Sequence, residues 1–158
     1  MQAPTHFLFS VWLWGLLLQY DFPLWLALLL IFLSHILLDV LANLTYHPPK
    51  AHTDDRFWVA FHIGVYVATG ILIILFISLW YVLLTSIAVD IVDWYILRPI
   101  FGRKKNSRLG SGPLHKTLID PIIRASRIPN LREKKAACLV EIVLDIFLLL
   151  LIYNVIPL

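Results

Sequence analysis

Long apolar runs separated by short polar breaks organise the chain. Crossing the hydrocarbon core of a bilayer takes about 20 apolar residues at about 1.5 Å of rise each. That length predicts helical segments at about 4–20, 23–46, 57–76, 80–98 and 136–156. Asp21-Phe22-Pro23 makes the first break, with Pro23 placed to open the second helix. The second break, His47 to Asp55, is polar and interrupted by Pro48 and Pro49. From Phe57 to Leu97 the apolarity is almost continuous, and a single helix of that length would be about 60 Å long, roughly twice the hydrocarbon thickness. It must fold back, and the turn is expected near Ile77-Ser78-Leu79. Residues 98–135 read as a polar, basic loop containing Gly and Pro. The predicted fold is all-α: an integral membrane bundle of about five transmembrane helices forming one domain over 1–158.

Composition supports the membrane assignment. With 60% hydrophobic and 15% charged residues and a mean hydropathy of +0.83, the chain has too little polar surface to cover a soluble globule. The single cysteine, Cys138, excludes a disulfide framework and a thiolate-rich metal site. No Lys or Arg precedes the first apolar run and no small-residue cleavage pattern follows it, so that segment is expected to be retained. Of the 13 Lys and Arg residues, all but Lys50 and Arg56 lie between Arg98 and Lys135. Basic residues in short loops stay on the cytoplasmic side, which predicts a cytoplasmic N-terminus and a bacterial or archaeal cytoplasmic membrane as the location. Topology explains the pI near 9.1, so no nucleic-acid partner is expected.

The candidate chemistry lies in ionisable residues that interrupt the apolar segments. In that topology His6, His35, Asp39, His62, Asp90, Asp93, Glu141 and Asp145 fall in the cytoplasmic half, many of them roughly 7–10 Å below the surface. Helical spacing adds a constraint: His35 and Asp39 are i,i+4, Asp90 and Asp93 are i,i+3, and His62 shares a face with Tyr66. Polar stripes in lipid turn inward, which predicts one internal polar chamber. Imidazole and carboxylate without a thiolate pair suit a divalent metal: zinc first, with manganese, iron or magnesium where oxygen ligands dominate. His6, His35, Asp39, His62 and Asp90 are the candidate ligands, and Asp93, Glu141 and His115 the candidate catalytic groups. The basic loop reads either as a segment lying on anionic headgroups or as a lid in which Arg103, Lys104 and Lys116 grip a substrate phosphate and His115 completes the site. Taken singly, each buried group could also be a hydrogen-bonded helix contact, and His47, His52, Asp54 and Asp55 are expected to be loop residues in water.

The runs Thr5-His-Phe-Leu-Phe-Ser10, Ser34-His-Ile-Leu-Leu-Asp39, Val89-Asp-Ile-Val-Asp-Trp94 and His115-Lys-Thr resemble the short motifs of the small membrane-bound metal-dependent hydrolase family. That resemblance implies a metal-dependent hydrolase with His6, His35, Asp39, Asp90, Asp93 and His115 at the matching positions. The match departs from the family pattern: the Ser-His-x-x-x-Asp element comes early, Val89 replaces a Pro, the two acids are spaced by two residues instead of one, and only one His of the paired-His element is present. Ser34 to Asp39 followed by Phe61-His-Ile-Gly-Val-Tyr66 is also similar to a family of uncharacterised small membrane proteins, and this second match implies no activity.

Fatty-acid desaturases, zincin proteases, CAAX-type proteases and acid-phosphatase-type lipid phosphatases are excluded by missing motifs: His-rich boxes, His-Glu-x-x-His, Glu-Glu and Ser-Gly-His respectively. The expectation is a metal-dependent hydrolase at the cytoplasmic leaflet, acting on a phosphorylated or esterified lipid. The alternatives are a structural or assembly subunit of a membrane complex and a divalent-cation or proton transporter, and an oligomer stays open.

Overall fold

The structure, a computed structural model, describes residues 1–48, 52–101 and 113–155, without the side chains of Arg98 and Phe101. The described residues form helices and turns and contain no strand. Helix α1 runs over Ala3–Leu18, α2 over Leu24–Leu41 with a 3₁₀ turn at Ala42–Leu44, and α3 over Arg56–Leu75. A 3₁₀ turn at Ile77–Leu79 leads into α4 (Trp80–Ser86) and α5 (Ala88–Ile91); a π turn at Val92–Leu97 follows, then α6 (Arg98–Phe101). A second π turn, His115–Ile119, opens α7 (Asp120–Ser126), and a 3₁₀ turn at Lys135–Ala137 opens α8 (Cys138–Val155).

Local chemistry sets the boundaries. Pro4 lies in the first turn of α1, where a missing N–H costs nothing. The helix ends where Asp21 takes a left-handed conformation (φ 51°), which Asp tolerates better than most residues. Pro23 then caps α2. The Asp55 side chain accepts from Phe57 N at 2.9 Å and so caps α3. The same carboxylate pairs with Lys135 Nζ at 2.7 Å, tying the start of α3 to the turn before α8.

Helix α1 is the centre of the bundle and packs against α2, α3, α4 and α8. Phe7, Leu8 and Val11 meet Leu72, Phe76, Leu83, Leu148 and Ile152 in one core. Trp14 and Leu17 meet Ala27, Ile31 and Val82 in a second. Side-chain contacts give the directions. Thr5 meets Asp145 while Gln19 reaches the carbonyl of Val155, so α1 and α8 are parallel. His6 meets Asp39 at one end, whereas Trp14 and Leu17 meet Ala27 at the other, so α1 and α2 are antiparallel. The starts of α1 and α8 and the ends of α2 and α5 therefore meet at one end of the bundle.

Among the described residues, three helices are long and apolar enough to cross a membrane: Leu24–Leu44, Arg56–Leu75 and Lys135–Val155. Ile77–Ser86 and Ala88–Leu97, bent by 54° relative to each other, make a fourth if taken as one broken span. These helices identify a membrane protein. At 16 residues, α1 is about 24 Å long, shorter than the hydrocarbon core, and it is surrounded by protein rather than lipid.

Because Leu8 is buried at the meeting of α1, α3, α4 and α8, Leu8→Ala is expected to cost about 2–5 kcal/mol through the cavity it leaves. Ile74→Ala, on the outer face of α3, is expected to stay within about 0.5 kcal/mol. Equilibrium unfolding of the two variants in one detergent checks both values.

Candidate metal centre

At the end of the bundle where α2 and α5 finish, four side chains from three parts of the chain converge. His35, Asp39, Asp90 and His115 each present one ligand atom, and these atoms all lie within 4.8 Å of one another. Their order in the fold follows from local structure. The i,i+4 spacing on α2 puts His35 Nε2 at 3.1 Å from Asp39 Oδ2. His115 Nε2 comes from the π turn before α7 and reaches the same Asp39 oxygen at 2.9 Å. Asp90, on α5, places its two oxygens at 3.7 Å from His35 Nε2 and 3.7 Å from His115 Nε2.

The other nitrogen of each imidazole is already committed. His115 Nδ1 meets Asp93 Oδ2, and the second oxygen of Asp93 accepts from Leu114 N at 2.8 Å. His35 Nδ1 lies 2.5 Å from the carbonyl oxygen of Ser86. Where Nδ1–H donates to these acceptors, Nε2 is the ring atom that each histidine turns toward the two carboxylates. Metal-binding histidines are oriented in this way, by a carboxylate or a backbone carbonyl behind the ring. The bend between α4 and α5 supplies the second of these acceptors. Ser86 is the last residue of α4, where helix carbonyls lack an intrahelical partner, and His35 takes that position. The π turn at Val92–Leu97 carries Asp93 and the π turn at His115–Ile119 carries His115, so both partners of that pair sit on locally widened helix.

His6 borders the group. Its Nε2 is 3.3 Å from Asp39 Oδ1, and its ring stacks on His35 with centroids 4.1 Å apart. Its Nδ1 is buried without a hydrogen-bond partner. His115 lies outside the long apolar helices. Burial opposes protonation of its ring, but the Asp39 and Asp93 carboxylates outweigh this and hold its pKa above the ordinary value. Exposure is uneven: the Asp93 side chain is 0% exposed, whereas Asp90 is 46% exposed and forms the open side of the group.

The expected site residues divide as follows. His35, Asp39, Asp90 and His115 come together as one group that could hold a metal ion, with His6 and Asp93 in contact with it. Asp93, expected to be catalytic, sits behind His115 and orients it. His62 is not brought to the group. It stacks on Trp58 at 4.0 Å and its Nδ1 faces the Trp58 carbonyl at 2.8 Å, because the first half of α3 leans on its own aromatic residues and on Tyr46 instead of the bundle core. Glu141 belongs to a neighbouring cluster: Oε1 accepts from Gln2 N at 2.5 Å and from Thr5 Oγ1 at 3.0 Å, and Thr5 Oγ1 also lies 2.7 Å from Asp145 Oδ1. Lys116 is exposed. Arg103 and Lys104 lie outside the described residues.

Sequence reasoning missed a ring of polar residues behind this end of the bundle. His47, expected in water, is largely buried, with Nδ1 3.2 Å from Gln2 Nε2. Its N–H donates to the Arg132 carbonyl at 3.0 Å, and Leu131 N donates to the Asn43 carbonyl at 2.7 Å. The spacing His35, Asp39, Asn43 was the available signal, since it continues the polar face of α2 toward this ring.

Fold and site together define an all-helical membrane protein carrying a histidine–aspartate cluster able to hold a metal ion. No protein-family profile, no curated protein and no solved structure matches the chain.

Two predictions follow from the geometry. If the group takes up a divalent metal, Asp93→Asn is expected to weaken that binding by about 10–100-fold through loss of the group that orients His115. Glu141→Gln, outside the four-residue group, should leave affinity for that metal unchanged in the same chelator-competition titration. Separately, burial, assisted by nearby positive charge including Arg132, lowers the pKa of His47 from 6.5 to about 4. Below 6.5 the unfolded chain then binds a proton that the folded protein refuses, so stability falls as pH drops from 6.5 toward 4 and levels off below that. His47→Gln should flatten the decline, read from thermal unfolding midpoints across that range.

Proposed function

We propose that this protein is a metal-dependent hydrolase of the membrane, acting at the cytoplasmic leaflet on a phosphorylated or esterified lipid, with zinc at the His35–Asp39–Asp90–His115 group. The observation that carries the reading is the orientation of both imidazoles. A carboxylate behind His115 and a backbone carbonyl behind His35 fix each ring with Nε2 toward the same two carboxylates, an arrangement expected of a built ligand set and not of incidental ion pairs. The resemblance of the short motifs around His6, His35, Asp90 and His115 to the membrane-bound metal-dependent hydrolases agrees with it.

A divalent ion held by these four residues would polarise an ester or phosphoryl oxygen and acidify water. The chain's own contributions are distinct. Asp93 and Ser86 hold the imidazoles. The buried His35 and Asp39 exclude water from the inner side. Asp90, 46% exposed, leaves open the side of the group from which water and substrate would enter. In hydrolysis the water oxygen bonds to the acyl carbon or phosphorus, the bond to the alcohol oxygen breaks, and the alcohol leaves with a proton.

The same reading includes five crossings and a cytoplasmic N-terminus. The alternating helix directions and the basic residues of 98–135 support it. A structural reading has one specific support: His115 bridges to Asp39 across 76 positions, so an ion could serve only to pin the segment from residue 113 onward against α2.

Protein purified in detergent is expected to bind one zinc and to release phosphate or fatty acid from lipid substrates. His35→Ala and Asp39→Asn should lose the metal and reduce turnover by about 100-fold or more. Absence of zinc or any other divalent metal above background in the wild-type protein would overturn the reading. Metal-dependent stability without turnover on any lipid ester or phosphate would favour the structural role.

A further inference from the structure

Residues 113–126 form one continuous helical stretch whose sides differ in chemistry. The side turned to the bundle carries Ile119, 2% exposed, and His115, whose Nε2 lies 2.9 Å from Asp39 Oδ2. A second side carries Leu118 and Ile122 at i,i+4, each 47% exposed, with Pro121 and Ala125 exposed beside them. Lys116 and Arg124 are exposed on the remaining surface. Arg127, also exposed, ends the helix in a left-handed conformation (φ 54°). Over residues 113–127 these three cations are set against one acid, Asp120.

Bonds at both ends hold this stretch at the end of a membrane-crossing helix. His115 meets Asp39, and Leu131 N donates to the Asn43 carbonyl at 2.7 Å. The apolar helix that carries Asp39 and Asn43 runs over Leu24–Leu44, so both attachment points lie within about 8 Å of its end. Amphipathic helices that rest on a membrane bury their apolar side about 5–10 Å into the boundary between headgroups and acyl chains. The depth of attachment, the uncovered Leu118 and Ile122 and the adjacent cations therefore fit one environment. Water alone would leave the apolar side uncovered, and hydrocarbon alone would strand the charges.

We propose that residues 113–127 are an interfacial helix whose partner is an anionic phospholipid surface, with Leu118 and Ile122 among the upper acyl chains and Lys116, Arg124 and Arg127 at the headgroups. Charge complementarity selects anionic over zwitterionic lipid, because each basic side chain near such a surface adds to the attraction. The same helix presents His115, one of the four residues able to hold a metal ion. Docking on the bilayer thus restrains a ligand of the metal centre and makes metal affinity respond to lipid charge. That consequence rests on the metal-centre reading, whereas the docking itself does not.

The test uses the full chain in nanodiscs of phosphatidylcholine alone or of phosphatidylcholine mixed with phosphatidylglycerol. Amide hydrogen exchange over residues 114–126 should be about tenfold or more slower in the anionic discs. High salt should remove the difference, as should Lys116→Gln, Arg124→Gln and Arg127→Gln together. Leu118→Ser with Ile122→Ser should speed exchange in both kinds of disc. Protection of the α1 amides checks that each variant folds; where the triple variant does not, the salt dependence of the wild-type protein carries the comparison. Exchange that ignores both lipid charge and salt overturns the docking. Protection that follows the number of copies per disc in place of lipid charge assigns the apolar side to a second copy of the chain and overturns it too. Zinc affinity, measured by chelator competition and corrected against empty discs, should be about threefold or more tighter in the anionic discs. Equal affinity in both lipids with the helix docked overturns the coupling to the metal centre. Docking without any zinc uptake upholds the interfacial helix and overturns the metal-centre reading alone.

Discussion

The Asp39 carboxylate is the contact on which the polar end of this molecule depends. One of its oxygens faces His6 from α1, and the other faces both His35 from its own helix and His115 from the far side of the basic loop region. Three separate stretches of chain are therefore held by two oxygen atoms. A carboxylate in an apolar helix is costly unless it is paired, and Asp39 has imidazole nitrogens of His6, His35 and His115 around its two oxygens. The same contacts fix where α1 ends in depth, how α2 is rotated and where the segment beginning at residue 113 docks.

The apolar part of the bundle makes that arrangement possible. Lipid is as apolar as leucine, so helices gain little from hiding hydrocarbon from it, and packing contacts and polar bonds decide their association. Helix α1 uses both. Its middle and far half pack through Leu8, Val11, Trp14 and Leu17, and its near end enters the polar network through Gln2, Thr5 and His6. A helix too short to cross a bilayer alone is stable here because neighbouring helices surround it. The bend after Ser86 has a comparable logic: an interrupted helix in a membrane leaves carbonyls to be satisfied, and one of them orients His35.

Much of this was legible in the sequence, and the remainder was not for physical reasons. The apolar runs, the Pro23 boundary and the need for a fold-back near Ile77 follow from lengths and turn residues alone, because bilayer thickness imposes them. His35 with Asp39 was readable from i,i+4 spacing, and Asp90 and Asp93 stood out as acids in an apolar run. Their division of labour was not readable. The i,i+3 spacing places both acids on one helix face, whereas the π turn at Val92 changes the local geometry so that Asp90 faces the ligand group and Asp93 faces His115 from behind. His62 matched the others in depth, but depth does not fix rotation, and α3 turns it onto Trp58. The partial burial of Arg132 and His47 was hidden because main-chain bonds between loops bring them together, and periodicity carries no signal for such bonds.

Charge balance connects these observations to chemistry. Two carboxylates, Asp39 and Asp90, with two neutral imidazoles carry two negative charges, and one divalent cation cancels them. Without a cation, the imidazoles must take up protons to balance the acids, which would place hydrogen atoms on the Nε2 positions that now converge. With Nδ1 of each ring committed to Asp93 or Ser86, the Nε2 atoms are the free valences, and a metal satisfies both of them and both acids at once. Asp93 is left as a third negative charge, spread over His115 and two backbone N–H groups that donate to it.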